Sequence, residues 1–191
     1  MNMTRCFALG RFVSSLRFAV LSLVLLQGTV TDAQEPKAEF NPEARLEAIG
    51  VDLPEIPPSI ANYVRSVRTG NLVFLAGHGP LQKNGTYLTG KLGDDMDVDQ
   101  GYQAARLAGI ALLSSLRAEI GDLRKVSRIV KVRGMVNSTP NFTDQSKVIN
   151  GCSDLFVEIF GDRGRHARAA VGMASLPRGF AVEIEMIVEV H

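Results

Sequence analysis

From Ala181 to Val190 the sequence alternates strictly: Val182, Ile184, Met186 and Val188 fall on one side, Glu183, Glu185 and Glu189 on the other. Successive side chains of a strand point to opposite faces, so this segment makes a strand with one apolar and one acidic surface. The apolar surface has to be covered by other elements. The acidic surface is left to solvent, to a polar cavity or to an interface with another chain, and the residues alone leave all three open.

The rest of the chain supplies the cover. Tyr63, Val64 and Val67, then Leu72 to Ala76, read as two strands joined at Thr69-Gly70-Asn71, and Gly77-His78-Gly79-Pro80 breaks the second. The Asn84-Gly85 pair marks a turn, with a short strand expected at Tyr87-Leu88. Asp97 is placed to cap a long helix, with Gln100 at the capping-box position. Ala104, Leu107, Ala108, Ala111, Leu112, Ser115 and Leu116 make one face of that helix as far as Gly121. Ser127 to Val136 alternates as a strand. Thr143 to Ser146 opens a second helix, with Val148, Leu155, Phe156 and Ile159 apolar before Gly161. Arg168 to Ala174 reads as a strand and Leu176-Pro177-Arg178-Gly179 as a turn. This order predicts an α+β fold: a mainly antiparallel sheet, hairpins at both ends, two helices packed on one face.

This domain occupies residues 60–191. Residues 34–59 precede it as a polar tail, a short helix and a connector carrying Pro54, Pro57 and Pro58. Asn41 caps the short helix, Pro42 takes its first position and Gly50 stops it. Residues 1–33 have the order of a secretory signal peptide. Arg5, Arg11 and Arg17 come first, then the apolar run Phe18 to Leu26, then small residues up to a predicted cut after Ala33. That run is far short of the roughly 20 residues needed to span a bilayer. An uncleaved anchor or a misplaced start codon is the alternative. The 191 residues carry 21 basic and 20 acidic side chains, a balance of 18 against 19 beyond Ala33, which speaks against a nucleic-acid partner. The expectation is an exported protein, periplasmic or secreted, with no membrane contact after cleavage. Only Cys152 would remain of its two cysteines, in an apolar helix where it reads as packing. His78, His166 and His191 lack metal-ligand spacing and no phosphate loop occurs, so neither metal nor cofactor is expected. Asn137-Ser-Thr139 and Asn141-Phe-Thr143 fit the glycosylation pattern.

The run from His166 through Arg168, Val171, Leu176-Pro177 and Val182-Glu183-Ile184-Glu185 resembles the C-terminal signature of the Rid (YjgF, endoribonuclease L-PSP) superfamily. Asn62-Tyr63 with Val67 and Gly70-Asn71 looks like that family's first hairpin, and Leu75-Ala76-Gly77-His78 sits where many members carry Ser-Gly-Gln. Asn150 matches a helix asparagine of the family. The resemblance spans residues 60–190, with phrases that look like a less-studied branch. It implies a chorismate-mutase-like fold assembled as a homotrimer, with the sheets packed into a central barrel and the sites in clefts between subunits.

The activity it implies is hydrolysis of reactive imines or enamines of the 2-aminoacrylate type to a 2-keto acid and ammonia. Such a substrate carries a carboxylate beside the C=N carbon. Arg168 would hold that carboxylate through two parallel hydrogen bonds and Glu183 would position water. Tyr63, His78 and Asn150 would shape the pocket, and Gly77 would let backbone approach the ligand. An arginine and a glutamate on strands also form plain structural ion pairs, and Glu185 shares a face with Glu183. Tyr63 also reads as a half-buried strand aromatic, Asn150 as a helix-surface residue and His78 as a hydrogen-bonded core histidine. Ala170, Gly172 and His78 depart from residues common in the family, cysteine, an acid and glutamine, which alters pocket size and charge. A trimeric binder of small carboxylates without turnover is the alternative function, and a ribonuclease a third.

Overall fold

The computed structural model describes residues 40–59 and 61–191; the expected signal peptide and its cut after Ala33 lie outside them. Five strands form one sheet: β1 (Ser66–Thr69), β2 (Leu72–His78), β3 (Val126–Asn137), β4 (Ala167–Met173) and β5 (Val182–Val190), in the order β1-β2-β5-β3-β4. Three neighbouring pairs run antiparallel, and β3 with β4 runs parallel. The helices are α1 (Pro42–Ala48), α2 (Val98–Ile120) and α3 (Gln145–Phe160). The fold is α+β, with a mainly antiparallel sheet. Among the described residues no helix is long and apolar enough to cross a membrane.

The helix termini follow from local chemistry. Asp97 accepts the Gln100 amide at 2.8 Å while the Gln100 side chain accepts the Asp97 amide at 2.9 Å, so two otherwise orphaned donors are satisfied at the start of α2. Gly121 ends that helix at φ 81°, a left-handed conformation that costs glycine little. α2 and α3 approach through backbone: a Cβ on Gly151 would lie 2.0 Å from the Tyr102 carbonyl oxygen. The facing residues Leu112, Leu116, Leu155, Phe156 and Ile159 are fully buried against Val132, Ile184 and Val188 of the sheet.

Three expectations need correction. The sequence suggested a hairpin at the C-terminal end, yet β4 and β5 do not pair. β5 buries every second residue and takes a central place between β2 and β3, whereas β4, mostly exposed or half-buried, forms an edge reached from β3 through α3. The chain over Leu176–Gly179 therefore crosses to the other side of β3. β1 starts at Ser66, leaving Tyr63 and Val64 before it, and Tyr87 contributes only a single bridge to Leu81. In β3 simple alternation fails. Register shifts between Val126 and Arg128, and between Ile129 and Lys131, put Val126, Ile129 and Val132 on the core side at intervals of three.

The face opposite the helices is open. It carries the cross-strand pairs Val67–Phe74 and Phe74–Ile187, and Arg133 bridges to Glu185 at 3.5 Å. Val67, Phe74 and Val171 remain 56%, 41% and 37% exposed. The glycosylation pattern at Asn137 falls on a buried residue whose amide donates to the Gly90 carbonyl at 2.9 Å.

Candidate functional site

β2 and β5 lose register between Leu75 and His78, and the resulting bulge opens a cavity of about 360 Å³. Glu183 lies over the bulge. A Cβ on Gly77 would come within 2.0 Å of Glu183 Oε1, so only glycine leaves the carboxylate its place. Tyr63 and the Pro57-Pro58 segment of the connector line another side. Tyr87 and Phe180 stack with centroids 4.6 Å apart, and Gly79 makes room for the Phe180 ring. Glu183 is half-buried, and its carboxyl is held above the usual range, first by loss of solvent and then by the neighbouring Glu185.

His78 belongs to the cavity floor. Its ring is 3% exposed, with Nδ1 2.7 Å from the Ala76 carbonyl oxygen and Nε2 2.7 Å from Ser115 Oγ. A carbonyl only accepts, so Nδ1 carries the proton and Nε2 accepts from the Ser115 hydroxyl. Burial is the main cause that brings the imidazole down to about 4; the Ala76 bond acts against it and Arg65 adds to it. The ring is therefore neutral at pH 7 and turned toward α2.

Arg168 and Asn150 lie elsewhere. The Arg168 guanidinium donates from Nη1 to Asn150 Oδ1 at 2.8 Å and to Ser153 Oγ at 3.0 Å, and from Nη2 to the Ser146 carbonyl at 3.4 Å. All three acceptors are on α3, so Arg168 points to the helix side of the sheet. Glu183, opposite Met135 in the register, points to the open side. Within one chain the structure thus brings together Tyr63, Gly77, His78 and Glu183, and separately Arg168 and Asn150. Cys152 is fully buried beside this second group, and burial pushes its thiol far above the usual range. Among the described residues no three His, Cys, Asp or Glu side chains cluster as a metal site would require.

Sequence reading missed two cavity arginines. Arg65 donates from Nη2 to the Pro57 carbonyl, and its buried Nε has no partner. Arg178 occupies the turn before β5 at φ 55°. Neither falls in a periodic or motif position; the only available signal was a charged residue inside the Pro177-Arg178-Gly179 turn.

Residues 43–188 match the YjgF/chorismate mutase-like family. A Trypanosoma cruzi protein, TCP17, is 43% identical over 149 residues, covering 78% of this chain and 93% of its own. A 2-iminobutanoate/2-iminopropanoate deaminase of Dermatophagoides farinae is 27% identical over 142 residues, 74% of this chain and 95% of its own. The crystal structure of the Agrobacterium tumefaciens protein Atu1372, of unknown function, superimposes with a TM-score of 0.72 at 43% identity, covering 78% of this chain and 91% of the other. With residues 43–188 matched by the family model and relatives 43% identical over 78% of the chain, the chain belongs to the YjgF/chorismate mutase-like family, the Rid superfamily.

Proposed function

We propose that this protein hydrolyses imines of 2-amino acids, and their enamine tautomers, to 2-keto acids and ammonia. The observation that carries the reading is the half-buried Glu183 carboxyl, raised in pKa and held over Gly77 at a cavity wall shared with Tyr63. A carboxylate whose pKa is raised toward neutrality accepts a proton from water more readily than an ordinary one. Water adds to the imine carbon as its proton passes to Glu183. The proton then moves to nitrogen to give a carbinolamine. Glu183 takes the proton of its new hydroxyl and passes it to the same nitrogen, and the C–N bond breaks, releasing ammonia as the carbonyl forms. The substrate is already electrophilic, so positioning supplies much of the acceleration.

The substrate carboxylate is assigned to Arg168, set by Asn150 and Ser153. Since Arg168 and Glu183 occupy opposite faces of one chain, the reading requires the Arg168 of one copy to meet the Glu183 cavity of the next. The exposed Val67, Phe74 and Val171 on the open sheet face support an assembly of copies, proposed as a homotrimer.

The test generates imines in situ with an amino-acid oxidase, traps them with semicarbazide, and follows the semicarbazone with wild type, Arg168→Ala and Glu183→Gln. Wild type should suppress the trapped product, and each variant should lose about 10²-fold or more of that effect. Suppression by Arg168→Ala would remove the anchor. No suppression by wild type across several amino acids would leave the non-catalytic carboxylate binder as the function.

A further inference from the structure

Resting on the imine-hydrolase reading, we propose that the cavity is built for a substrate with a second carboxylate on its side chain, the imine of an acidic amino acid, with Arg178 and Arg65 receiving that distal group. Arg178 is the sole non-glycine among the described residues with a left-handed backbone, and that conformation costs an arginine free energy that glycine would not spend. What the conformation achieves is placement. The guanidinium lies over the Tyr87 ring at 5.2 Å and the Phe180 ring at 5.8 Å, against a pair of rings already stacked on each other. A flat cation on an aromatic base keeps its N–H edge for a planar partner such as a carboxylate. Among the described residues the Arg178 side chain makes no hydrogen bond or ion pair, so its whole donor fork is unspent.

Arg65 lines the same cavity. Its Nη2 donates to the Pro57 carbonyl and its Nε is buried without a partner, so the guanidinium is partly buried and incompletely paired. Two guanidinium groups thus line a cavity whose one carboxylate, Glu183, is half-buried and raised in pKa. A substrate with one carboxylate, taken by the Arg168 of the neighbouring copy, leaves this positive excess unmatched. A dicarboxylate satisfies it. Arg178 is solvent-exposed and Arg65 partly buried, so the preference rests on charge and on the planar match of guanidinium to carboxylate.

Two measurements on the full-length protein test this. The first compares kcat/KM for the imines of aspartate and glutamate with those of alanine and leucine. The second, which needs no turnover, measures calorimetric Kd values for 2-oxoglutarate and 2-oxobutanoate. Wild type should favour the dicarboxylate about tenfold or more in both. The ratio should collapse in Arg178→Gln and in Arg65→Gln, but persist in Arg106→Gln, which removes the same charge from α2, where it pairs with Glu158. Equal affinities for the two keto acids in wild type, or a ratio that survives both cavity substitutions, would overturn the proposal. Turnover of neutral imines without dicarboxylate preference sinks this inference and leaves the hydrolase standing. No turnover of any imine, with a dicarboxylate binding preference intact, sinks the hydrolase and upholds the ligand class.

Discussion

Acidification should expose the cost of burying His78. The ring is 3% exposed, held between the Ala76 carbonyl and the Ser115 hydroxyl, with its imidazole down to about 4. In the unfolded chain the same group takes up a proton near its ordinary 6.5. Folded-state stability is therefore complete above pH 6.5. It declines as the pH falls through the interval, because only the unfolded state gains the proton, and it levels off below 4. At 1.36 kcal/mol per pH unit, the interval from 6.5 to about 4 amounts to about 3 kcal/mol, a large share of the 5–15 kcal/mol typical of a domain. Other groups titrate over the same range. His166, lowered by burial and bonded to Gly164 and Ser153, acts in the same direction. The decisive quantity is thus the difference between wild type and His78→Gln, whose amide both donates and accepts without titrating. Urea unfolding at pH 7.5, 6.5, 5.5, 4.5 and 4.0 should show wild type losing most of about 3 kcal/mol relative to the variant on descending the series. If the two proteins lose stability in parallel, the imidazole is not held neutral and this account of the cavity floor is wrong.

Glu185 is the second cause of the raised Glu183 carboxyl, so Glu185→Gln should move the acid limb of the kcat/KM profile toward lower pH without abolishing turnover. A limb that stays in place would detach that titration from Glu183. Gly151→Ala should lower the urea midpoint by the equivalent of about 1–3 kcal/mol, since the added carbon meets the Tyr102 carbonyl and helix backbone yields less than a side chain. An unchanged midpoint would mean that α2 and α3 are not in backbone contact there.

Much of the fold was legible because its signals are local. The Asp97–Gln100 capping box, the Asn41 cap and the glycine stop at Gly121 each depend on groups within a few residues of each other, and each has the expected geometry. The alternation of β5 correctly assigned its buried side. What depends on non-local pairing was not legible. Nothing in Arg168–Ala174 or Ala181–Val190 says that β3 lies between β4 and β5, and the two bulges in β3 break the parity rule on which a face assignment rests.

The same limit explains the site. Arg168 and Glu183 stand close together in the matched run, and that nearness invites reading them as one constellation. The sheet register decides otherwise. Val132 pairs with Arg168 on one side and with Met186 on the other, so Arg168 shares the face of Met186, the buried one. Met135 pairs with Glu183 and Val171, placing that carboxylate with the exposed Val171 on the other face. Parity along β5 then separates the two groups whatever rotamers they adopt, because no χ rotation carries a side chain through a hydrogen-bonded sheet. A reaction that uses both must therefore draw them from two copies. Loss of activity in Arg168→Ala should then be complemented by mixing with Glu183→Gln, since some mixed assemblies pair an intact arginine with an intact glutamate; absence of any recovery in assemblies shown to exchange subunits would place the two groups in separate functions.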